Sequence, residues 1–276
     1  MIEKDIIYID WNLYSILKSP KHYPHIRLKS FLEEIKDKYY LVYSDAHIGD
    51  LRKSKDDNLR KLDLNYLSKW TNDIVLVKYF GNENIVIDKI NAVDFSNSFD
   101  EEILDNSSLK LHKSVELMNA KYGEVRDDVL RNYFKTDPKN VCNFSVKQIE
   151  ELLRKMKIFN SFKDLIEFRL KLRGNTDKNP ITYIDYYMAA YTSLDLIGFF
   201  PDDMNNKSNY SNLLNDSKHS AYGSLCKAFI TNDKKCFHKS KFLFEYFKSD
   251  SKLIKTCGVK NKILDYENDL QELVNN

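Results

Sequence analysis

An α/β fold with a central parallel sheet is what this 276-residue chain predicts, and three observations carry the expectation. Short β-branched and aromatic runs alternate with apolar residues at helical spacing over roughly the first ninety residues. The alternation returns after about residue 199, and acids stand where strand-like runs give way to helical ones. From about Ser96 to Gly198 the β-branched runs vanish and long amphipathic patterns replace them. The expected organisation is one domain, built from about 1–95 and 199–276, with a helical insertion at about 96–198.

The first strand is read from Asp5 to Asp10, a β-branched and aromatic run ending in an acid, with a helix over Leu13 to Leu17 behind it. Leu28 to Ile35 carries apolar residues at helical spacing. Tyr39 to Tyr43 is the second strand. Ser44 suits an N-cap, since its hydroxyl can accept from the first free backbone N–H groups, and Ala46, Ile48 and Leu51 begin the helix it caps. Ile74 to Val77 and Ile85 to Ile87 are short β-rich runs, and Gly81-Asn82 between them predicts a hairpin turn.

Within the insertion, Ser145 and Gln148 have capping-box spacing ahead of an apolar stripe of Ile149, Leu152, Leu153 and Met156. A second helix begins near Ser161 with Phe162, Leu165, Ile166 and Phe168 inward, and a third runs from about Ile181 to Leu196. After an Asn-rich loop, Asp202 to Asn215, a helix is expected to open at Asp216 and reach Cys226. A strand from Ala228 to Thr231, then Asp233, a helix over His238 to Phe247 and a short strand within Ser251 to Val259 complete the chain.

Hydrophobic residues make up 42% of the chain and Gly and Pro number only 7 and 5, which excludes disordered and collagen-like classes. No run approaches the roughly 18 apolar residues of a membrane-spanning helix. The charged start, Met1 to Asp5, lacks the basic-then-apolar layout of a secretory signal, so a cytoplasmic protein with no membrane partner is expected. Cys142, Cys226, Cys236 and Cys257 are too few for a disulfide scaffold and form no close metal-binding pair, so buried free thiols are expected. His22 and His25 flank Pro24 in an expected loop, not on a helical metal-binding face.

Four acids occupy the edges of the α/β elements. Asp10 follows the first strand, Asp50 lies in the helix after the second, Asp216 opens a helix, and Asp233 follows the last clear strand. In an open parallel sheet, ligands bind outside the carboxyl ends of the strands, so acids in these places can meet. Clustered carboxylates repel one another and share a divalent cation. All-oxygen ligands suit Mg²⁺ or Mn²⁺, and two such ions about 4 Å apart activate water and stabilise the leaving oxygen of a phosphodiester. Each acid alone also has an ordinary reading, Asp216 as an N-cap worth about 1 kcal/mol and Asp233 as a turn residue.

The local wording is more specific. Tyr8-Ile9-Asp10-Trp11-Asn12, the run from Tyr43 through Ser44, Asp45, His47, Gly49 and Asp50 to Leu51, the run Asp216 to Tyr222 containing His219, and Phe229-Ile230-Thr231-Asn232-Asp233-Lys234 resemble, in order, the acidic motifs of PIN-domain nucleases. In that family an Asp near an Asn follows the first strand. An acid lies in the helix after the second, and an Asp opens the helix before a strand ending in Thr-x-Asp. The family commonly has Glu at the second position, where this chain has Asp45 and Asp50; Asp50 suits the place after the small and apolar helix start. The resemblance covers about 1–90 and 200–260 and leaves the helical third unmatched.

The resemblance implies an α/β/α sandwich whose acidic pocket of Asp10, Asp50, Asp216 and Asp233 binds Mg²⁺ or Mn²⁺ and hydrolyses RNA, often as a bacterial toxin or a phage-defence effector. No covalent enzyme intermediate is required. Supporting roles fall to Asn12, orienting Asp10; to Thr231, whose hydroxyl lies near the metal; to Ser44; and to His219, three residues after Asp216 and on the same helix face. Self-association as a homodimer also follows by analogy with the toxins. Two other functions fit the same residues: a structure-specific DNA nuclease, because the carboxylate chemistry needs no 2′-hydroxyl, and a catalytically silent PIN-like module that binds RNA or a protein partner.

Charge placement agrees with a nucleic-acid substrate. Residues 205–260 hold 11 Lys plus Arg against 4 Asp plus Glu, whereas residues 1–204 hold 31 against 33, so a local basic surface can attract phosphate without a high overall charge. Lys234, Lys235, Lys239 and Lys241 are the nearest candidates. A second basic stretch, Arg154, Lys155, Lys157, Lys163, Arg169, Lys171 and Arg173, either widens a substrate groove, binds an inhibitory partner or is the polar side of amphipathic helices. Tyr183, Tyr186, Tyr187 and Tyr191 recur at helical spacing, which suits core packing better than base stacking.

Overall fold

β1 (Ile6–Ile9) lies in the middle of a six-stranded sheet, flanked by β2 (Tyr40–Ser44) and β5 (Ala228–Thr231). Beyond β2 come β3 (Ile74–Val77) and β4 (Val86–Lys89), and beyond β5 comes β6 (Lys252–Lys255), giving the order β4-β3-β2-β1-β5-β6. The structure is a computed structural model that describes residues 5–21, 23–78, 84–98, 123–172, 181–202, 207–256 and 272–273. All neighbouring strands run parallel except β3 and β4, which pair antiparallel from Ile74 opposite Lys89 to Val77 opposite Val86. The sheet is therefore mixed, and its one exception is the pair expected to form a hairpin. The Gly81-Asn82 turn itself lies outside the described residues, as do His22, Arg173 and Cys257.

Parallel neighbours need crossovers long enough to hold helices. α1 (Trp11–Lys18) and α2 (Tyr23–Ile35) join β1 to β2, and α3 (Asp45–Leu51) and α4 (Asp57–Thr71) join β2 to β3. α5 (Ala92–Asn97) follows β4. Then come α6, described over 123–132, a 3₁₀ turn (Pro138–Asn143), α7 (Val146–Met156), α8 (Phe162–Leu172), α9 (Tyr183–Leu196) and α10 (Lys207–Gly223), which leads into β5; α11 (Lys234–Phe247) joins β5 to β6.

Side chains alternate across each strand, and the alternation builds two cores. Ile7, Ile9, Leu41, Tyr43, Val75, Val77, Ala228 and Ile230 pack with the helices α1 to α5 on one face. Tyr8, Val42, Leu76 and Phe229 face the other core, which the middle helices, α10 and α11 complete. Three layers result. The helical third forms the second outer layer together with α10 and α11: α7 opens with the Ser145/Gln148 capping box and buries Ile149, Leu152, Leu153 and Met156, each worth about 1.5–3 kcal/mol of apolar burial.

Several expectations are corrected. α10 starts at Lys207, so Asp216 stands inside a helix; the low helix propensity of its Asn-rich start is overridden by packing of the buried Leu213 in the core. His25 lies in the first turn of α2, where Pro24 is tolerated because that turn's N–H groups have no helical partner. α4 is a helix additional to those the sequence predicts, and it buries Leu64, Leu67 and Trp70 behind an Asp56 N-cap. Arg169 is fully buried and donates to the Thr192 hydroxyl at 3.3 Å, so it belongs to the core of the helical layer and not to a basic surface. Tyr187 and Tyr191 are core residues as read. Cys226 and Cys236 are buried free thiols, while the free Cys142 is half-buried. No helix among the described residues is long and apolar enough to cross a membrane.

Candidate metal and active site

The chain leaves β1 into α1 on one face of the sheet and leaves the adjacent β5 into α11 on the other. A crevice opens where such crossovers diverge, at the carboxyl ends of the strands. Asp10 caps α1, its Oδ1 accepting the Asn12 N–H at 3.2 Å. Asp233 caps α11, its Oδ1 accepting the Cys236 N–H at 2.6 Å. Thr231 ties the two together: its hydroxyl donates to Asp10 Oδ2 at 2.8 Å and accepts the Asp233 N–H at 3.1 Å. Both acids sit at positive helix ends, which favour negative charge.

Asp50 reaches the same end of the sheet from α3. Gly49 permits this approach, because a Cβ there would lie 2.7 Å from Asn215 Oδ1. The close packing of α3 on α10 lets Asn215 donate to Asp50 Oδ1 at 3.1 Å, while Asp50 Oδ2 meets His219 Nε2 at 2.9 Å. Lys53 also bonds the carboxylate, one turn on.

A buried polar network lies behind these acids. The Tyr8 hydroxyl stands 2.6 Å from Ser44 Oγ, 3.2 Å from His47 Nδ1 and 2.9 Å from His219 Nδ1. The Ser44 N–H donates to His47 Nδ1 at 3.1 Å, so that nitrogen carries no proton and Nε2 donates to the Ile9 carbonyl at 2.8 Å. Burial and the neighbouring His219 push the His47 pKa down to about 3, which keeps this imidazole neutral. His219 moves the other way: burial opposes its charge, but the bond to Asp50 and the charges of Asp10 and Asp50 raise its pKa. Both its ring nitrogens are engaged, so its role is to fix Asp50 against Tyr8.

Ligand atoms of Asp10, Asp50 and His219 lie within 4.8 Å of one another. Asp216 and Asp233 are not members of this group but are coupled to it by charge. Burial first, then the charges of Asp10, Asp233 and Asp50, raise the Asp216 carboxyl well above the usual range. Burial also raises Asp10, with Asp50 adding to it and His219 and Thr231 pulling against it. Asp50 is held low, because His219 and Lys53 outweigh its burial. Asp45 is turned to Lys218, 2.6 Å away, so of the two acids in the second motif Asp50 is the one in the cluster.

The donor set fits a hard divalent cation. Carboxylate oxygens dominate it, Asp10 and Asp233 each keep acceptor capacity beyond their cap bonds, and no donor among the described residues meets the half-buried Asp216 carboxylate. Crowding of this kind has a stability signature. An acid whose folded pKa is raised holds its proton while the unfolded chain ionises, so stability falls as pH rises from about 4, the unfolded value, through the folded one. Asp216→Asn removes that loss. Melting curves of the variant and the parent are expected to coincide near pH 4 and to separate toward pH 7 with the variant more stable.

Asn12 is exposed and touches Asp10 only through its backbone N–H, so its side chain does not orient the acid. Ser44 caps α3 and joins the Tyr8 network. Lys234 and Lys241 are exposed on α11. Lys235 is drawn to the Pro201 carbonyl at 2.7 Å and to Asp202 at 3.1 Å. Lys239 is corrected: it is wholly buried, 2.7 Å from both Asp195 and Asp202, and cannot reach a substrate backbone. The structure adds Tyr8, His47 and Asn215 to the expected site residues. His47 had a signal, since it stands three residues after the Ser44 cap and completes a capping box there; Tyr8 had none beyond its strand position.

A scan against protein families finds no match for the chain, and comparisons with curated proteins and with solved structures find none either.

Proposed function

We propose that this chain is a divalent-metal-dependent, PIN-like endoribonuclease. The observation that supports it most is the grouping of Asp10 and Asp50 with His219, ligand atoms within 4.8 Å of one another, with Asp216 and Asp233 coupled to it by charge, one acid held ionised and two pushed toward protonation. Mg²⁺ or Mn²⁺ bound there would neutralise the cluster, polarise a phosphate and lower the pKa of water. Asp10, Asp216 and Asp233 would hold the cation, and Asp50 would complete the set from a position fixed by His219, Asn215 and Lys53. Thr231 keeps Asp10 turned toward Asp233. Water would attack phosphorus in line as the opposite P–O bond breaks, its oxygen staying on phosphorus and its proton passing, by way of solvent, to the leaving oxygen, so that no enzyme-bound ester forms. A toxin or phage-defence role in the cytoplasm and a homodimer belong to the same reading by analogy with the PIN family, and the basic stretch of the helical third adds an inhibitory protein partner to it.

Incubating the purified chain with matched single-stranded RNA and DNA, in Mn²⁺, Mg²⁺ or EDTA, tests it. RNA fragments that form with metal and disappear in EDTA are expected. Cleavage of DNA alone would move the assignment to a structure-specific DNA nuclease. Intact RNA that nonetheless binds the chain would identify a silent binding module.

A further inference from the structure

We infer that Phe200 and His238 form a base-stacking platform that, flanked by Lys234, Lys241 and Lys255, seats single-stranded RNA beside the acidic cluster. This rests on the nuclease reading for its biological sense, but not for its test.

The two rings lie parallel, 4.2 Å between centroids and 3° between planes, and both are partly exposed. Phe237 meets His238 edge-on at 5.4 Å and carries the Lys255 ammonium 5.6 Å above its ring. Lys234, His238 and Lys241 recur at i, i+4 and i+7, which places them along one face of α11. Among the described residues no carboxylate pairs with Lys234, Lys241 or Lys255, so these cations are available to phosphates. Partial burial and then the three ammonium groups lower the His238 pKa, which favours the neutral, stacking imidazole. Asp233 caps this same helix, and at 1.5 Å per residue His238 is roughly 7 Å along the axis from it. A strand with its phosphate at the acids therefore passes over the platform with its next nucleotides. Stacking on aromatic faces with cations tracking the backbone is how single strands are held without sequence preference.

The platform is also fixed in advance. Phe200 has φ of +47°, left-handed backbone that a bulky side chain rarely adopts. Such strain persists only where surroundings over-determine it. The Phe200 N–H bonds Cys142 Sγ at 3.3 Å, Lys235 holds the Pro201 carbonyl at 2.7 Å, and the buried Lys239 clamps Asp202 at 2.7 Å. Lys239 is thereby a positioning residue for the platform, not a contact.

The test is binding of a short fluorescent single-stranded RNA in EDTA, where no cleavage intervenes. Phe200→Leu and His238→Ala should each weaken binding roughly 5- to 100-fold, while Phe200→Trp restores it, with melting curves confirming that each variant is folded. Lys234→Ala with Lys241→Ala should flatten the dependence of log K on log salt by roughly 0.7 per lysine. Failure of the parent chain to bind RNA, or parental affinity in Phe200→Leu or in His238→Ala, would overturn the platform. Metal-dependent cleavage that survives in such variants would leave the nuclease standing without it; lost binding in a chain that cuts nothing would leave the platform standing without the nuclease.

Discussion

Lys239→Met is expected to destabilise the fold by about 3–5 kcal/mol, the largest stability effect of any single replacement considered, because it leaves the Asp195 carboxylate buried and uncompensated. Lys239 and Asp195 are 2.7 Å apart and their side chains are 0% and 2% exposed. Asp202, at the same distance, is 20% exposed and can recover solvent. The ammonium also lies 5.0 Å from the ring centre of Tyr191, so the cation is enclosed by α9, α11 and the 199–202 segment together. At roughly 2–4 °C per kcal/mol for a chain of this size, the melting temperature should drop by about 10 °C. The double variant Lys239→Met with Asp195→Leu should recover most of that loss, since replacing both members of a buried pair is often neutral. Thermal or urea denaturation of the three proteins decides it. A Lys239→Met melt equal to the parent's would place the lysine in solvent after all.

Asp10→Asn is expected to have the largest effect on activity, a fall in cleavage rate on the order of 10³-fold, in line with the loss of a group that acts as part of a unit. Folding should not suffer. The amide Oδ1 keeps the Asn12 N–H, and Nδ2 takes the place of Oδ2, donating to the Thr231 hydroxyl oxygen where the carboxylate accepted from it, while removing one charge from a crowded acidic group relieves repulsion. A melting temperature at or above the parent's, with rate lost and RNA affinity in EDTA retained, is the expected combination. Single-turnover rates beside melting curves separate it from simple unfolding, and parental turnover would remove Asp10 from the reaction.

Much of this architecture was legible in the sequence because its signals are local. The strands from Ile6, Tyr40, Ile74 and Ala228 are β-branched or aromatic runs, the Ser145/Gln148 box announces α7, and the acids at strand ends follow from α/β topology. What was misread depends on tertiary packing. The start of α10 at Lys207 is stabilised by burial of Leu213, against the preferences of its Asn residues. Lys239 reads as one more surface lysine until the chain brings Asp195 and Asp202, 44 and 37 residues away, onto it. The Tyr8 hub likewise joins residues 36, 39 and 211 positions distant, separations that no short window reveals.

Whether Asp10, Asp50, Asp216 and Asp233 act on one divalent cation is tested most directly by titrating Mn²⁺ into the intact chain by calorimetry, beside Asp10→Asn and Asp216→Asn variants of verified fold. The expected result is saturable binding by the parent that is lost or weakened at least about tenfold, some 1.4 kcal/mol, in each variant. No binding by the parent, or binding undiminished in both variants, would contradict a shared metal site at the ends of β1 and β5.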